Sequence, residues 1–162
     1  MRIDVRAVAN FVLKAAKQAD VPVTNMAINK IVYFMYVDYL VSFGEPLTNA
    51  KIEAWKHGPV FRELYSAFNR FGDSPISELA TRIDPNTGDK IVCELSLDSD
   101  KTEFLQTIVE QLLKLSASRL RNLSHLPGSP WDRVWNHLQL VNVGMEISDE
   151  IILGSNNNGW RH

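Results

Sequence analysis

A single cysteine, Cys93, stands among the 162 residues. Its isolation excludes an intramolecular disulfide and every zinc site built on paired cysteines, and it fits a reducing compartment. Long hydrophobic runs are missing too. The longest purely apolar stretch, Ile31 to Val37, is closed by Asp38 and falls well short of the roughly 18 to 20 residues that cross a bilayer, so no membrane role is expected. Neither sign of charge dominates: 17 basic against 19 acidic residues leave a net charge of −2. Without a broad positive field to neutralise phosphates, nucleic acid is disfavoured as the main partner. Neither a Walker loop nor a dinucleotide-binding glycine pattern occurs, so no cofactor is expected. The start, Met1-Arg2-Ile3-Asp4, lacks the apolar core of a signal peptide, which points to the cytoplasm.

What is present is an ordinary globular balance, 45% apolar and 22% charged residues, in a chain of single-domain length. From Asp4 to Ala19, apolar residues recur at three-and-four spacing, with Asp4 placed to cap the helix. Val21-Pro22-Val23 breaks it, and Thr24 or Asn25 can cap a second helix running to about Phe43. That helix is apolar nearly all round and belongs at the centre of the domain, with the other helices wrapped around it. Gly44 suits a left-handed C-cap, and Pro46 prevents continuation.

Beyond a short extended stretch holding Ile52, Ala54 and Trp55, Gly58-Pro59 is expected to open a third helix with Pro59 in its first turn. Val60, Phe61, Leu64, Tyr65 and Phe68 form its apolar stripe. Turn formers between short apolar stretches from Ile83 to Leu95 read as a hairpin or surface excursion. Helical spacing returns from Lys101 to Leu115, from Ser116 to Leu123, and in Pro130-Trp135. The expected fold is mainly α: a single compact helical domain around a buried central helix, with a small β-hairpin or extended excursion. It occupies residues 1–154, and residues 155–162 read as a mobile tail.

Ordered motifs mark the segment from Thr24 to Phe68. They are Thr24-Asn25, Ile28-Asn29-Lys30-Ile31-Val32-Tyr33-Phe34, Gly44-Glu45-Pro46-Leu47, Ala54-Trp55-Lys56-His57-Gly58-Pro59-Val60 and Leu64-Tyr65-Ser66-Ala67-Phe68. A second, looser set runs through Leu123-Ser124-His125-Leu126 and Pro130-Trp131 to Ile147-Ser148-Asp149-Glu150-Ile151-Ile152. Together they resemble the Panacea domain, also called the SocA-like antitoxins. The likeness departs at Ile76 to Lys101, which aligns with nothing, and at Asn29, where the family more often carries Gln. The resemblance implies the neutralising half of a bacterial or phage toxin–antitoxin pair, whose partner is a cognate protein toxin bound directly. It also implies an alternative, a proteolytic adaptor that delivers the toxin to a protease. Lys30, Tyr33, Trp55, Gly58, Pro59 and Trp131 are then structural motif residues.

Catalytic readings are weaker. His57 lies in a tight corner but has no nucleophile in a familiar arrangement, and it reads as a turn histidine. A cryptic enzyme would have to use His57, Glu53 and Arg62. Cys93 lacks an evident base, and the spacing of His125, Asp132 and His137 matches no familiar metal site. No catalytic residue and no metal are assigned, and the chain is expected not to be an enzyme. Charge gathers at Lys51, Lys56, His57, Arg62, Glu63 and Arg70, the candidate partner-binding surface on the outer side of the third helix and the turn before it. Of the tryptophans, Trp55 and Trp131 read as core, and Trp135 and Trp160 as accessible. One sequence leaves the oligomeric state and the toxin's identity open.

Overall fold

The computed structural model describes residues 2–136 and 145–161; His137 lies outside the described residues. Its elements, in chain order, are α1 (Val5–Gln18), α2 (Asn25–Phe43), β1 (Ile52–Trp55), β2 (Gly58–Phe61), α3 (Arg62–Phe68), β3 (Thr81–Ile83), β4 (Lys90–Val92), α4 (Ser99–Leu112), α5 (Ala117–Ser124), α6 (Pro130–Trp135) and α7 (Asp149–Leu153). The fold is mainly α with two small antiparallel strand pairs, as the sequence indicates.

Every residue of α2 from Ile28 to Leu40 is buried, and α1, α3, α4, α5, α7 and β2 pack against it. Its ends are fixed by local chemistry. The Thr24 hydroxyl accepts the Ala27 amide, and Gly44 at φ 68 returns its own amide to the Leu40 carbonyl. Asp4 and Ser116 cap α1 and α5 in the same way. Asp98 caps α4 by accepting the Lys101 amide, so this helix opens at Ser99, two residues before the apolar spacing begins.

A helix buried on all sides must satisfy whatever polar groups it carries, and α2 carries Asn25, Asn29, Lys30 and Asp38 inside the core. Asn29, fully buried, donates from Nδ2 to the carbonyl and side-chain oxygen of Asn25, both at 3.0 Å. Its Oδ1 accepts the backbone amide of Phe61 at 2.9 Å. Asn25 in turn donates to the Tyr65 carbonyl at 3.0 Å. Two asparagines one helical turn apart thus hold the end of β2 and the start of α3 against the central helix.

That anchorage explains a departure from expectation. Gly58-Pro59 does not start a helix; it starts β2, and α3 begins only at Arg62. β1 and β2 form a hairpin closed by Trp55 and Gly58 around Lys56-His57. In a two-residue hairpin the closing residues form a hydrogen-bonded pair, so Pro59, opposite Ala54, falls in the next pair, where a missing N–H costs the ladder nothing. Phe61 likewise points its amide away from β1, towards Asn29. Gly58 adopts φ +128, which a side chain would strain.

Two further long-range clasps complete the fold. From α1, buried Asn10 donates to the carbonyls of Ala80 (2.9 Å) and Cys93 (2.8 Å) and accepts the Ala80 amide (2.8 Å). It thereby ties down both ends of the β3–β4 hairpin, which lies in the segment that the motifs leave unaligned. At the other end of the chain, Trp160 donates its indole N–H to buried Asp38 of α2 at 2.8 Å, and Arg161 pairs with the same carboxylate at 3.1 Å. Trp160, expected to be accessible, is therefore only 7% exposed, because a buried carboxylate draws the end of the chain onto the core.

Replacing Asn29 by Leu keeps the count and branching of the side-chain heavy atoms, although its methyl groups are bulkier than the amide, and leaves the Phe61 amide without its acceptor. A loss of about 1 to 3 kcal/mol is expected from that group alone, measured by denaturant unfolding. A variant as stable as the parent would show that the clasp carries no weight.

Candidate functional site

The two groups of sequence motifs meet at one place. Gly58 lies directly over the Lys30 side chain: a Cβ built on it would come within 3.1 Å of the Ser124 hydroxyl, 3.3 Å of Lys30 Cε and 3.4 Å of His125 Cε1. Backbone conformation therefore favours glycine here, and a Cβ would in addition press on these three side chains. The Trp131 indole donates to the Trp55 carbonyl at 2.7 Å, and its ring packs on His125 with centroids 3.7 Å apart. His125 Nε2 lies 3.4 Å from the Lys56 carbonyl, and Ser129 caps α6 to hold Trp131 in position. The hairpin corner is thus gripped from below by α2 and from the side by the α5–α6 connection.

Lys30 is the unusual member. It is 4% exposed, and its ammonium has one weak hydrogen bond, 3.5 Å to the Met26 carbonyl. Burial pushes its pKa down to about 8 from the ordinary 10.5, and the positive charge of Arg121 adds to the effect. His125 is also shifted down, first by burial. Beside Lys30 opens a pocket of about 250 Å³ lined by Thr24, Met26, Ala27, Lys30, His57, Ala117, Ser118 and Arg121.

The other face of the hairpin carries a separate cluster. Glu53, with a side chain 8% exposed, accepts two bonds from the Arg62 guanidinium (2.9 and 3.0 Å) and one from the Trp55 indole (3.1 Å). These donors, Arg62 first, hold its carboxyl below the usual value. Such a group stays ionised and is a poor base, and His57 lines the neighbouring pocket. Trp55 is half-buried rather than core, edge-on to Tyr65 at 4.9 Å, whereas Trp131 is only 6% exposed. Trp135 is accessible, as expected, at 40%. Cys93 is buried, and burial raises its thiol pKa, the opposite of an activated nucleophile.

Of the charges assigned to partner contact, Lys51, Lys56, His57, Arg62, Glu63 and Arg70 are all exposed. Arg62 is occupied by Glu53, and Arg70 bonds Glu78 at 3.0 Å while covering the Phe71 ring. Lys56, His57, Arg62 and Glu63 lie on the hairpin and the first turn of α3, Lys51 just before β1, and Arg70 in the 3-10 turn that follows α3. Sequence reading named Lys30, Gly58 and Trp131 as motif residues. It missed that Ser124, His125 and Arg121 join them, because nothing local announces a contact across about ninety residues of chain.

The family model described as antitoxin SocA-like, Panacea domain, matches residues 28–132. The chain belongs to the SocA-like, Panacea-domain antitoxin family. Antitoxin SocA of Caulobacter vibrioides (strain NA1000 / CB15N) is 36% identical over 151 residues, which cover 93% of this chain and 80% of that relative. No solved structure matches. The matched Panacea segment opens at the start of the α2 core and closes just past Trp131, so it contains Lys30, Gly58, Ser124, His125 and Trp131, which meet at the hairpin corner.

Two outcomes follow from this geometry. Trp131→Ala should cost about 3 to 5 kcal/mol and Trp55→Ala distinctly less, because only the former is fully buried; equal shifts in thermal unfolding would contradict the arrangement. For Lys30 the folded pKa lies below the unfolded one. The destabilisation by its charge is thus complete below about pH 8 and is relieved as pH rises towards 10.5. Lys30→Met should therefore be more stable than the parent at pH 7, on the order of 3 kcal/mol, with the gap closing through that window. A gap independent of pH would show that Lys30 is not desolvated.

Proposed function

We propose that this protein is an antitoxin that neutralises a cognate protein toxin by stoichiometric binding, without catalysis. Membership of the family carries the reading. It is supported by a hairpin–helix unit whose position on α2 is fixed by Asn25, Asn29 and Trp131, so that little ordering entropy opposes binding. We place toxin contact on the outer side of this unit, at Lys51, Lys56, His57, Arg62, Glu63 and Arg70. The half-buried Trp55, under the Arg62 guanidinium at 6.0 Å, supplies the aromatic and arginine pairing that often anchors interfaces.

Charge at this surface acts mainly on encounter. Reversing Lys51 and Lys56 to Glu should slow association with the toxin and weaken neutralisation, with the difference shrinking at high salt. Neither lysine has an ion pair among the described residues, but the charge of Lys51 helps to hold the Glu53 carboxyl down, so thermal unfolding of the variant is measured beside binding to show that the fold is kept. Arg62→Glu is a poorer test, since it leaves Glu53 buried beside a second carboxylate. Binding and growth-rescue assays at two salt concentrations check this: full, salt-independent neutralisation by the doubly reversed variant would remove the hairpin surface from the interface. Protection by a trace of antitoxin far below the toxin concentration would overturn the stoichiometric reading itself.

A further inference from the structure

We infer that the pocket beside Lys30 is a carboxylate-binding site, and that it takes an acidic group of the partner toxin as a buried anchor. The partner half of this inference rests on the antitoxin reading above. The observation behind the site is a buried cation with one weak hydrogen bond and no ion pair among the described residues. Lys30 is 4% exposed, and its three ammonium donors find one acceptor, the Met26 carbonyl at 3.5 Å. Elsewhere in the core, buried charge is paired: Glu53 has Arg62 and Trp55, and Asp38 has Trp160 and Arg161. Lys30 has no acidic partner among the described residues, and the nearest ionic influence on it is another cation, Arg121. A buried charge in this state costs stability unless something is bound.

The walls fit the same ligand. The 250 Å³ pocket is lined by Thr24, Met26, Ala27, His57, Ala117, Ser118 and Arg121 around Lys30, with no carboxylate among them. Two helices begin at it: α2, whose first turn contains Met26 and Ala27, and α5, whose first residues are Ala117 and Ser118. Each contributes the partial positive charge of a helix N-terminus. Arg121 on the rim is exposed and has no ion pair among the described residues, so it is available to close over an incoming oxygen. Small and apolar side chains at Ala27, Met26 and Ala117 leave room for the carbon skeleton of an amino acid. The pocket thus suits an acid carried on a short aliphatic stem, either an Asp or Glu side chain or the carboxyl terminus of a chain. It lies immediately under Lys56-His57, so a toxin docked on the hairpin corner reaches it without a further surface.

The test separates the site from the partner. The intact protein is titrated with N-acetyl-glutamic acid α-amide (a side-chain carboxylate), N-acetyl-leucine (a terminal carboxylate), N-acetyl-leucinamide (uncharged) and inorganic phosphate, while the Lys30 Cε resonance and the amides of Ala27 and Ser118 are followed by NMR. At least one carboxylate should shift these signals saturably and raise the Lys30 pKa, and the uncharged amide should not. Which carboxylate does so identifies the source. Lys30→Met should abolish the shifts while keeping a folded spectrum, and Arg121→Met, on the surface, should weaken them several-fold. No saturable shift with either carboxylate, undiminished binding by both variants, or binding of phosphate alone would overturn the site. The partner half is read in cells: Lys30→Met should lose neutralisation of the cognate toxin although it is the more stable protein. If it still neutralises fully, the toxin does not use this pocket. If the parent protein neutralises nothing, the antitoxin reading falls while the carboxylate site, measured with the small probes, stands.

Discussion

The contact on which the rest of this structure depends is the hydrogen bond from the Phe61 amide to the buried Asn29 side chain. α2 could have been a purely apolar rod, which would pack well but specify poorly where its neighbours lie. Asn29 instead offers one acceptor, 2.9 Å from one particular amide, and Asn25 offers a donor to the Tyr65 carbonyl one turn later in α3. Buried polar groups must be satisfied, so the end of β2 has one acceptable position on α2. Fixing that position fixes the hairpin corner, and the corner in turn receives Trp131 and His125 from the α5–α6 connection.

Below the corner, the same helix carries a group that is not satisfied in the same manner. Lys30 sits under Gly58 with its charge desolvated, and burial depresses its pKa. The contrast with Asn29 is informative because the two residues are neighbours on one helix in one core. Asn29 is explained by the fold it holds, whereas Lys30 weakens that fold and gains a role only with the acidic ligand we propose. A destabilising group kept in an otherwise well-satisfied core is a familiar compromise between stability and activity. Here the two demands are separated by a single residue step along α2.

Much of the architecture is legible in the sequence. Apolar periodicity places α1, α2, α4 and α5, and the caps at Asp4 and Gly44, with Thr24 as one of two candidates, are legible because capping involves only the next three or four residues. The second hairpin follows from turn chemistry between short apolar stretches. What fails is whatever depends on partners far along the chain. Gly58-Pro59 carries a helix-start pattern, yet a side chain 32 residues away holds the Phe61 amide for a strand end. Trp160 reads as accessible until its indole is seen to answer Asp38 across 122 residues. Asn10 is one polar residue in an amphipathic helix, and nothing nearby says that it clasps Ala80 and Cys93. For the site, the motifs pick out Lys30, Gly58 and Trp131, but not that Lys30 has no counter-ion among the described residues, since that is a property of three-dimensional packing.

Hydrogen exchange at the Phe61 amide tests the Asn29 clasp most directly. This N–H faces away from its strand partner, so its protection comes from Asn29 and not from the hairpin ladder. The account predicts that it exchanges only with global unfolding, as slowly as the amides in the middle of α2, and that Asn29→Ala selectively brings its exchange into the fast, locally opened class. A Phe61 amide that exchanges orders of magnitude faster than α2 in the parent protein, or one whose protection survives Asn29→Ala, would contradict it.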